Sequence, residues 1–367
     1  MEFNKETALL QAEFRKFAKD VIAPKVDDHD KKGEVPREFI LKLSEMGMLG
    51  ALVPESCGGV ALDTLGTVVA LEEISKVCPS TGLILAVHNG LFAYPIVKFG
   101  TDAQRSKYLP QACGGEVVGG FAEMAANELL VAAATGSSQY TISGQNQLLL
   151  NGELNGPFVL SIPLPGSDAS TFSIIDPGCP GVKITKNTTI IGMKASGIAD
   201  VRFQDALVNS GAILGVDRQG QEITADVRNI VRLLFASIAL GISQGAYENA
   251  LKYAKERVQF GEPIANFGMV REMLADMAVK IESVRLLTYD AALARDAQKD
   301  FSKAAAIAHL VAAQSVADIT NNAIQIYGGY GYMKDYPVER YFRDAQVIRV
   351  LCGTSRLDKE FIAAKII

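Results

Sequence analysis

The sequence predicts an α+β multidomain fold with a helical first part, a β-barrel or sandwich in the middle, and a C-terminal helical bundle. Three observations predict it. Apolar residues recur at helical spacing in residues 1–118, short strand-like runs separated by turn dipeptides fill residues 119–225, and long runs rich in Ala, Leu and Ile fill residues 226–367. The 367 residues suffice for two or three packed units of about 100–200 residues each.

The first part is predicted to be helical throughout. Leu10, Phe14, Phe17 and Val21 share one face at helical spacing, and Pro36 opens a second helix. Two more apolar runs and a segment capped by Thr101 complete this part, and a loop rich in Pro and Gly at 53–59 interrupts it.

The middle part changes to short candidate strands. Asn151-Gly152, Pro165-Gly166, Pro177-Gly178 and Pro180-Gly181 mark turns between them. The predicted strands are 140–144, 147–151, 158–163, 171–175, 181–185 and 200–203.

The last part is predicted to contain three long helices, 226–258, 267–297 and 301–327, with a loop at Pro263. Short connections between long apolar helices are typical of a bundle.

Composition excludes several classes of protein. The net charge of −5 and the absence of a basic block argue against nucleic acid as the main partner. The five cysteines are widely spaced and the three histidines are scattered, so neither a zinc site nor a disulfide framework is expected. We find no targeting segment and expect no membrane span, so the sequence favours a cytoplasmic protein.

The most informative stretch is 325–355, which reads QIYGGYGYMKDYPVERYFRDAQVIRVLCGTS. A helical pattern stops at Gly328-Gly329, and paired glycines let backbone amides approach an anion such as a phosphate. The whole stretch closely resembles the C-terminal signature of the acyl-CoA dehydrogenase family, FAD-dependent proteins that desaturate acyl-CoA thioesters. The resemblance covers essentially the whole chain. It implies an N-terminal helical domain, a middle β-barrel and a C-terminal four-helix bundle.

The resemblance implies one half of an FAD site. In the family, Arg-x-Gln-Phe-Gly and Gln-x-x-Gly-Gly bind the FAD of the neighbouring subunit. The matching residues here are Arg257, Gln259, Phe260, Gln325, Gly328 and Gly329, with Thr354 added from the Gly-Thr-Ser run. Independently of the family, Arg257 could pair with a pyrophosphate and Phe260 could pack on an adenine face, although a cation and a glycine also suit an ordinary helix end.

The half-site for the chain's own flavin departs from the family pattern. Ala125 stands where the family has a threonine at the flavin ring. Leu148-Leu149-Leu150-Asn151 stands where the family has Trp-Ile-Thr-Asn. Each polar flavin atom left unpaired in a buried site costs about 1–3 kcal/mol, so retention of a flavin in cis becomes harder. Other groups could still bind the ring, and the two segments could be misaligned.

The catalytic base is also missing. Removal of the α proton needs a positioned base, which in the family is a glutamate just before Gly-Thr-Ser. Cys352 occupies that place, and a thiol with a pKa of about 8.5 is mostly protonated at neutral pH. The alternative glutamate position of some relatives corresponds to Val231, and a catalytic thiolate at Cys352 near Arg349 and Arg356 remains a minor alternative.

The substrate site is ambiguous. The family's Asp-x-x-Arg pair, which anchors pantetheine, becomes Asn229 and Arg232. The two residues would bind an acyl-CoA thioester or form one polar face of a helix, and the sequence favours neither.

Three hypotheses follow. The first is a catalytically defective subunit that packs against a homologous acyl-CoA dehydrogenase subunit and supplies the FAD half-site in trans. The FAD would be shared with or held by that partner. Electron-transferring flavoprotein would take the electrons. The second is a stand-alone flavoenzyme with desulfinase- or decarboxylase-like chemistry, for which Arg349 or Arg356 would stabilise the leaving group. The third is a non-catalytic binder of CoA esters. The first is favoured because the trans contacts are kept and the base is lost.

Overall fold

The computed structural model describes residues 3–123, 129–133, 139–164, 169–351 and 355–367. It confirms the predicted order of a helical part, a β part and a second helical part. The larger hydrophobic core is formed mainly by the two helical parts and also contains residues of the β part. A smaller hydrophobic core lies between the strands.

The N-terminal helices pack as a compact group. Thr101 forms the predicted cap, because its side chain accepts a hydrogen bond from the Gln104 N–H at 3.2 Å while the Gln104 side chain accepts one from the Thr101 N–H at 2.9 Å. A π-helical stretch, Val87–Ala93, joins the fifth helix to the sixth. The helices are α1 Lys5–Phe17, α2 Val26–Lys32, α3 Arg37–Glu45, α4 Thr64–Ser75, α5 Pro79–Ala86, α6 Tyr94–Phe99 and α7 Asp102–Cys113.

The strands form two four-stranded sheets in the described part of the chain, in the orders β1-β4-β5-β8 and β2-β3-β7-β6. Every pairing in these sheets is antiparallel except that of β1 with β4. The strands are β1 Gly120–Glu123, β2 Leu129–Ala133, β3 Tyr140–Leu149, β4 Phe158–Pro163, β5 Ser170–Ile175, β6 Val182–Lys186, β7 Ala199–Val208 and β8 Ile213–Leu214.

The closed barrel that we expected is therefore wrong, and the sandwich alternative is closer. The two sheets share one apolar core, in which the Phe158 and Phe203 rings lie 6.5 Å apart. Between β1 and the end of β3 the described residues contain only one isolated bridge, Phe121 with Leu150, so the ladder does not continue around the core.

The C-terminal part begins with a 37-residue helix that is buried over most of its length. The three predicted long helices are confirmed, with ends displaced by up to six residues, and two shorter helices follow them. The elements are α8 Gly220–Glu256, the hairpin strands β9 Val258–Gln259 and β10 Glu262–Pro263, α9 Gly268–Asp296, α10 Ser302–Tyr327, α11 Val338–Val350 and α12 Ser355–Ile366.

Two helical stretches, Pro79–Phe99 and Gly220–Glu256, are long and apolar enough to cross a membrane by length and composition alone. In their most apolar windows, 72% and 89% of the residues are buried inside the protein. Their apolar surface is thus covered by other parts of the chain, as in the core helices of globular proteins.

Helix α4 shows how closely the two helical parts are joined. Every residue of α4 is buried, and it packs against α8 and α9. The Asp296 carboxylate at the end of α9 accepts hydrogen bonds from the N–H groups of Thr64 at 2.7 Å and Leu65 at 3.0 Å. A residue of the C-terminal part therefore satisfies the free amides at the start of an N-terminal helix.

A buried carboxylate joins the β part to α11. Asp344 is 2% exposed, and its Oδ1 accepts a hydrogen bond of 2.5 Å from the Met193 N–H. Burial raises the pKa of Asp344 to about 6, although the nearby Arg340 and Arg343 oppose the increase.

Candidate functional site

A cavity lies where α8 and α10 end. It has a volume of about 470 Å³. Four of the residues predicted to bind FAD line it, namely Arg257, Gln259, Gly328 and Gly329. The other lining residues are Tyr253, Ile264, Ile326, Tyr327, Tyr330 and Met333.

The backbone at Gly328 and Gly329 is open toward this cavity. Gly328 has φ +58° and ψ −135°, a conformation that suits glycine and ends α10. A Cβ added at either glycine would meet no atom within 4 Å. The Gly328 N–H donates to the Gln325 carbonyl oxygen, so these glycines offer a ligand a close approach to the backbone.

Arg257 brings a free positive charge to the same cavity. Within the described part of the chain, no carboxylate pairs with its guanidinium, which lies 5.5 Å from the centre of the Tyr330 ring. An unpaired arginine next to uncovered glycine backbone suits a phosphate or pyrophosphate group.

Tyrosine rings form one wall of the cavity. Tyr253 and Tyr327 stack at 4.0 Å with an interplanar angle of 13°, and Tyr336 packs against both edge-on. Burial raises the pKa of Tyr327 to about 12, so its hydroxyl stays neutral at physiological pH. The wall offers flat apolar surface, which suits an aromatic base.

Two predicted FAD ligands lie near this cavity without lining it. Gln325 is exposed on the last turn of α10. Phe260 is 95% exposed at the tip of the β9–β10 hairpin, with φ +52° and its ring 6.2 Å from that of Phe267. A bulky residue with positive φ and almost no cover is costly, and a second chain or a ligand would relieve the exposure.

The region predicted to hold the chain's own flavin presents aliphatic side chains. Leu149 and Leu150 are buried and Leu148 is exposed. The backbone of Leu150 exchanges two hydrogen bonds with that of Phe121, at 2.9 and 3.1 Å. The described residues at these positions thus supply no side-chain hydroxyl or tryptophan to a flavin. Ala125 lies outside the described residues.

His88 fixes the chain just before β1. Its Nε2 lies 2.9 Å from the Leu49 carbonyl oxygen, and its Nδ1 accepts a 2.9 Å hydrogen bond from the Gly119 N–H. The neutral ring with the proton on Nε2 satisfies both contacts. Complete burial lowers the pKa of His88 to about 4, so the ring is uncharged at neutral pH.

Arg232, a predicted substrate ligand, is bound inside the protein. Its Nε lies 2.9 Å from Asp358 Oδ1, and the other carboxylate oxygen lies 2.7 Å from Nδ1 of His309. All three residues are buried. Arg232 also lies 3.3 Å from the Asn229 side-chain oxygen and 4.4 Å from the centre of the Phe361 ring. In this structure the contacts of Arg232 are those of a structural ion cluster, and its binding of substrate stays a prediction.

Cys352 and Thr354 lie outside the described residues. The arginines proposed to assist alternative chemistry are at the surface, where Arg356 pairs with Glu360 at 2.7 Å and Arg349 donates to Gln346 at 3.0 Å. The described ranges contain no group of three or more potential metal ligands.

Sequence reasoning missed the tyrosine wall and the ion cluster. The tyrosines could have been noticed, because five of the chain's eleven lie between residues 327 and 341. Asp358 and His309 are 49 residues apart in sequence, and no local pattern indicates that they meet.

Comparison with known proteins defines the class. Residues 4–116 match the N-terminal domain of acyl-CoA dehydrogenases, and residues 218–367 match their C-terminal domain. The chain belongs to the acyl-CoA dehydrogenase family, whose members depend on FAD.

The chain is similar to short-chain members of this family. It is 35% identical to the short-chain specific acyl-CoA dehydrogenase of Clostridium acetobutylicum, with 100% of both chains covered. It is 34% identical to the acryloyl-CoA reductase (NADH) of Anaerotignum propionicum, covering 100% of this chain and 96% of that protein. The structure of butyryl-CoA dehydrogenase from Megasphaera elsdenii has a TM-score of 0.93 with 31% identity, and 100% of each chain is covered. Acyl-CoA substrates and association with electron-transferring flavoprotein are typical of the family.

Proposed function

We propose that this chain is the catalytically defective subunit of a cytoplasmic hetero-oligomeric acyl-CoA dehydrogenase. It packs against an active homologous subunit and supplies the second half of that subunit's FAD site. The complete assembly oxidises an acyl-CoA, or runs the reverse reaction, and exchanges electrons with an electron-transferring flavoprotein.

The cavity at the ends of α8 and α10 carries the proposal. It joins an unpaired Arg257 to the open backbone of Gly328 and Gly329. Arg257 would bind the pyrophosphate, the two glycines would let it approach the backbone closely, and the tyrosine wall would pack on the adenine. FAD bound there would supply the hydride acceptor, and Arg257 and the tyrosine wall of this chain would hold the cofactor.

The chain's own reaction centre gives no comparable support. Leucines stand at the described positions where the family has groups that contact the flavin, and Arg232 is held by Asp358. By sequence, Cys352 replaces the base. An ordinary thiol is mostly protonated at neutral pH, so it is a poor proton acceptor.

The test counts flavins. The chain is purified alone and after co-expression with a homologous acyl-CoA dehydrogenase subunit, and FAD is measured per chain. We expect little FAD in the chain alone and FAD in the complex. Arg257→Ala should release it from the complex, whereas Arg271→Ala, an exposed arginine that does not line the cavity, should not. One flavin per chain in the chain purified alone would contradict the proposal.

A second variant separates the proposal from the stand-alone flavoenzyme. Cys352→Glu restores the family's carboxylate. We expect no dehydrogenation of short-chain acyl-CoA by this variant alone, because the flavin contacts are also lost. Activity of the variant would mean that the remaining site is intact, and it would favour a stand-alone enzyme.

A further inference from the structure

Two cysteines of the N-terminal helical part lie on neighbouring elements. Cys113 is the last residue of α7 and is 7% exposed, whereas Cys57 ends a short 3-10 turn, Glu55–Cys57. This turn packs against α7. Cys57 is partly buried, and it packs against the same hydrophobic core that contains Cys113. Both cysteines are free thiols in the structure.

The loop that follows the 3-10 turn crosses the end of α7. A Cβ built on Gly50 would lie 2.9 Å from the Gly59 Cα and 3.1 Å from the Cys113 Sγ, so the loop backbone and this sulfur border one small space. A Cβ built on Gly58 would lie 3.4 Å from the Pro110 Cα, which belongs to the last turn of α7. Glycines allow this close approach, and it brings the loop beside the thiol at the end of α7.

The two thiols are close enough for one to affect the ionisation of the other. Burial raises the pKa of Cys113 to about 11, and the nearby Cys57 adds to the increase. For Cys78 and Cys179, burial and side chains other than cysteine account for the raised pKa. Cys113 is therefore protonated at neutral pH, and Cys57, the more exposed thiol of the two, meets a dissolved oxidant first.

We infer that Cys57 and Cys113 form a reversible disulfide and that this pair is a site of oxidative modification by hydrogen peroxide. Peroxide oxidises the Cys57 thiolate to a sulfenic acid and releases hydroxide. The Cys113 sulfur then attacks the sulfenic sulfur, the S–S bond forms, and the sulfenic oxygen leaves as water with the Cys113 proton. In total, two thiols give up two electrons and two protons, and one peroxide becomes two molecules of water.

The disulfide joins two parts of the chain that are far apart in sequence. It closes a loop that contains α4, α5 and α6, and it ties the segment before α4 to the end of α7. In a reducing compartment such a bond is transient and responds to oxidants. The inference does not depend on the proposed function, because neither cysteine lines the FAD cavity.

The test counts thiols. The reduced, folded full-length chain is treated with a small excess of hydrogen peroxide and quenched. It is then denatured for thiol titration and for peptide mapping by mass spectrometry. We expect loss of two of its five thiols and one pair of peptides joined through Cys57 and Cys113. Dithiothreitol should restore both thiols.

Single substitutions separate the two steps of the oxidation. Cys113→Ala, or Cys113→Ser if the first variant folds poorly by circular dichroism, removes the second thiol. Peroxide should then leave Cys57 as a sulfenic acid that dimedone labels, with no disulfide. Cys57→Ser should keep all its remaining thiols. Cys179→Ser removes another partly exposed cysteine and should still lose two thiols.

Three results would overturn the inference. The first is that the folded chain keeps all five thiols under conditions that oxidise the denatured chain. The second is a disulfide between another pair of cysteines, or a loss of thiols that dithiothreitol does not reverse. The third is a covalent dimer that disappears in Cys57→Ser, because it would assign Cys57 to a bond between two chains.

Discussion

Replacing Asp344 by asparagine should change how stability depends on pH. The carboxylate is buried and accepts the Met193 N–H at 2.5 Å. Asparagine is nearly isosteric, and its side-chain oxygen can accept the same hydrogen bond, so the substitution chiefly removes the titration.

The sign follows from the pKa. Burial raises the pKa of Asp344 from its ordinary value of 3.8 to about 6, so the folded state binds more protons than the unfolded state between these values. The contribution of Asp344 to stability is therefore complete below pH 3.8 and is lost as pH rises through 6. A shift of about 2 units corresponds to about 3 kcal/mol.

Urea unfolding followed by circular dichroism at pH 4, 5, 6 and 7 measures this loss. The free energy of unfolding of wild type relative to Asp344→Asn should fall by about 3 kcal/mol from pH 4 to pH 7. Asp290→Asn, which removes an exposed carboxylate, controls for the change in net charge. A difference that is constant with pH, or that rises with pH, would refute the assignment of burial as the dominant cause.

Three further predictions concern groups described above. Burial lowers the pKa of His88 from 6.5 to about 4, so its contribution to stability is complete above pH 6.5 and is lost as pH falls through 4. In the same titration, the loss of unfolding free energy on acidification should be smaller in His88→Gln than in wild type by about 3 kcal/mol. Asp358→Asn leaves Arg232 buried without a carboxylate and should cost about 3–5 kcal/mol in chemical unfolding, whereas replacing both residues by methionine and leucine should cost less. Gly328→Ala should lower stability by about 1–3 kcal/mol because its φ is +58°, while Gly329→Ala, which has equal space and no positive φ, should change the melting temperature little.

The long helices were predictable because their periodicity extends over many turns. The start of α8 was misplaced by six residues, since Gly220 follows Gln219 without a side-chain cap that would mark it. Strands β1, β2 and β8 were missed because two to five residues carry too little pattern. Strand β3 was divided in two at Gly144, where the pairing register shifts, and a glycine inside a strand resembles a turn in sequence.

The candidate site was likewise predictable only where its sequence pattern is local. Arg257, Gln259, Gly328 and Gly329 were recognised because each motif is local, and the cavity brings them together. The environment of Arg232 was not predictable, because its partner Asp358 lies 126 residues further along the chain. A local motif identifies a residue type, whereas burial and ion pairing depend on the complete fold.

The Asp296 cap on α4 has a consequence for biosynthesis. The carboxylate that completes the start of α4 is encoded 232 residues after Thr64, and α8, which covers α4, is also made later. While the ribosome is still translating the β part, α4 has its cap from Asp63 and its neighbours α1 and α5, but it lacks Asp296 and α8. Domains usually fold in the order of their synthesis, but the packing of α4 is completed only by helices made after the β part. Until then, the surface of α4 that α8 and α9 cover in the complete fold stays exposed.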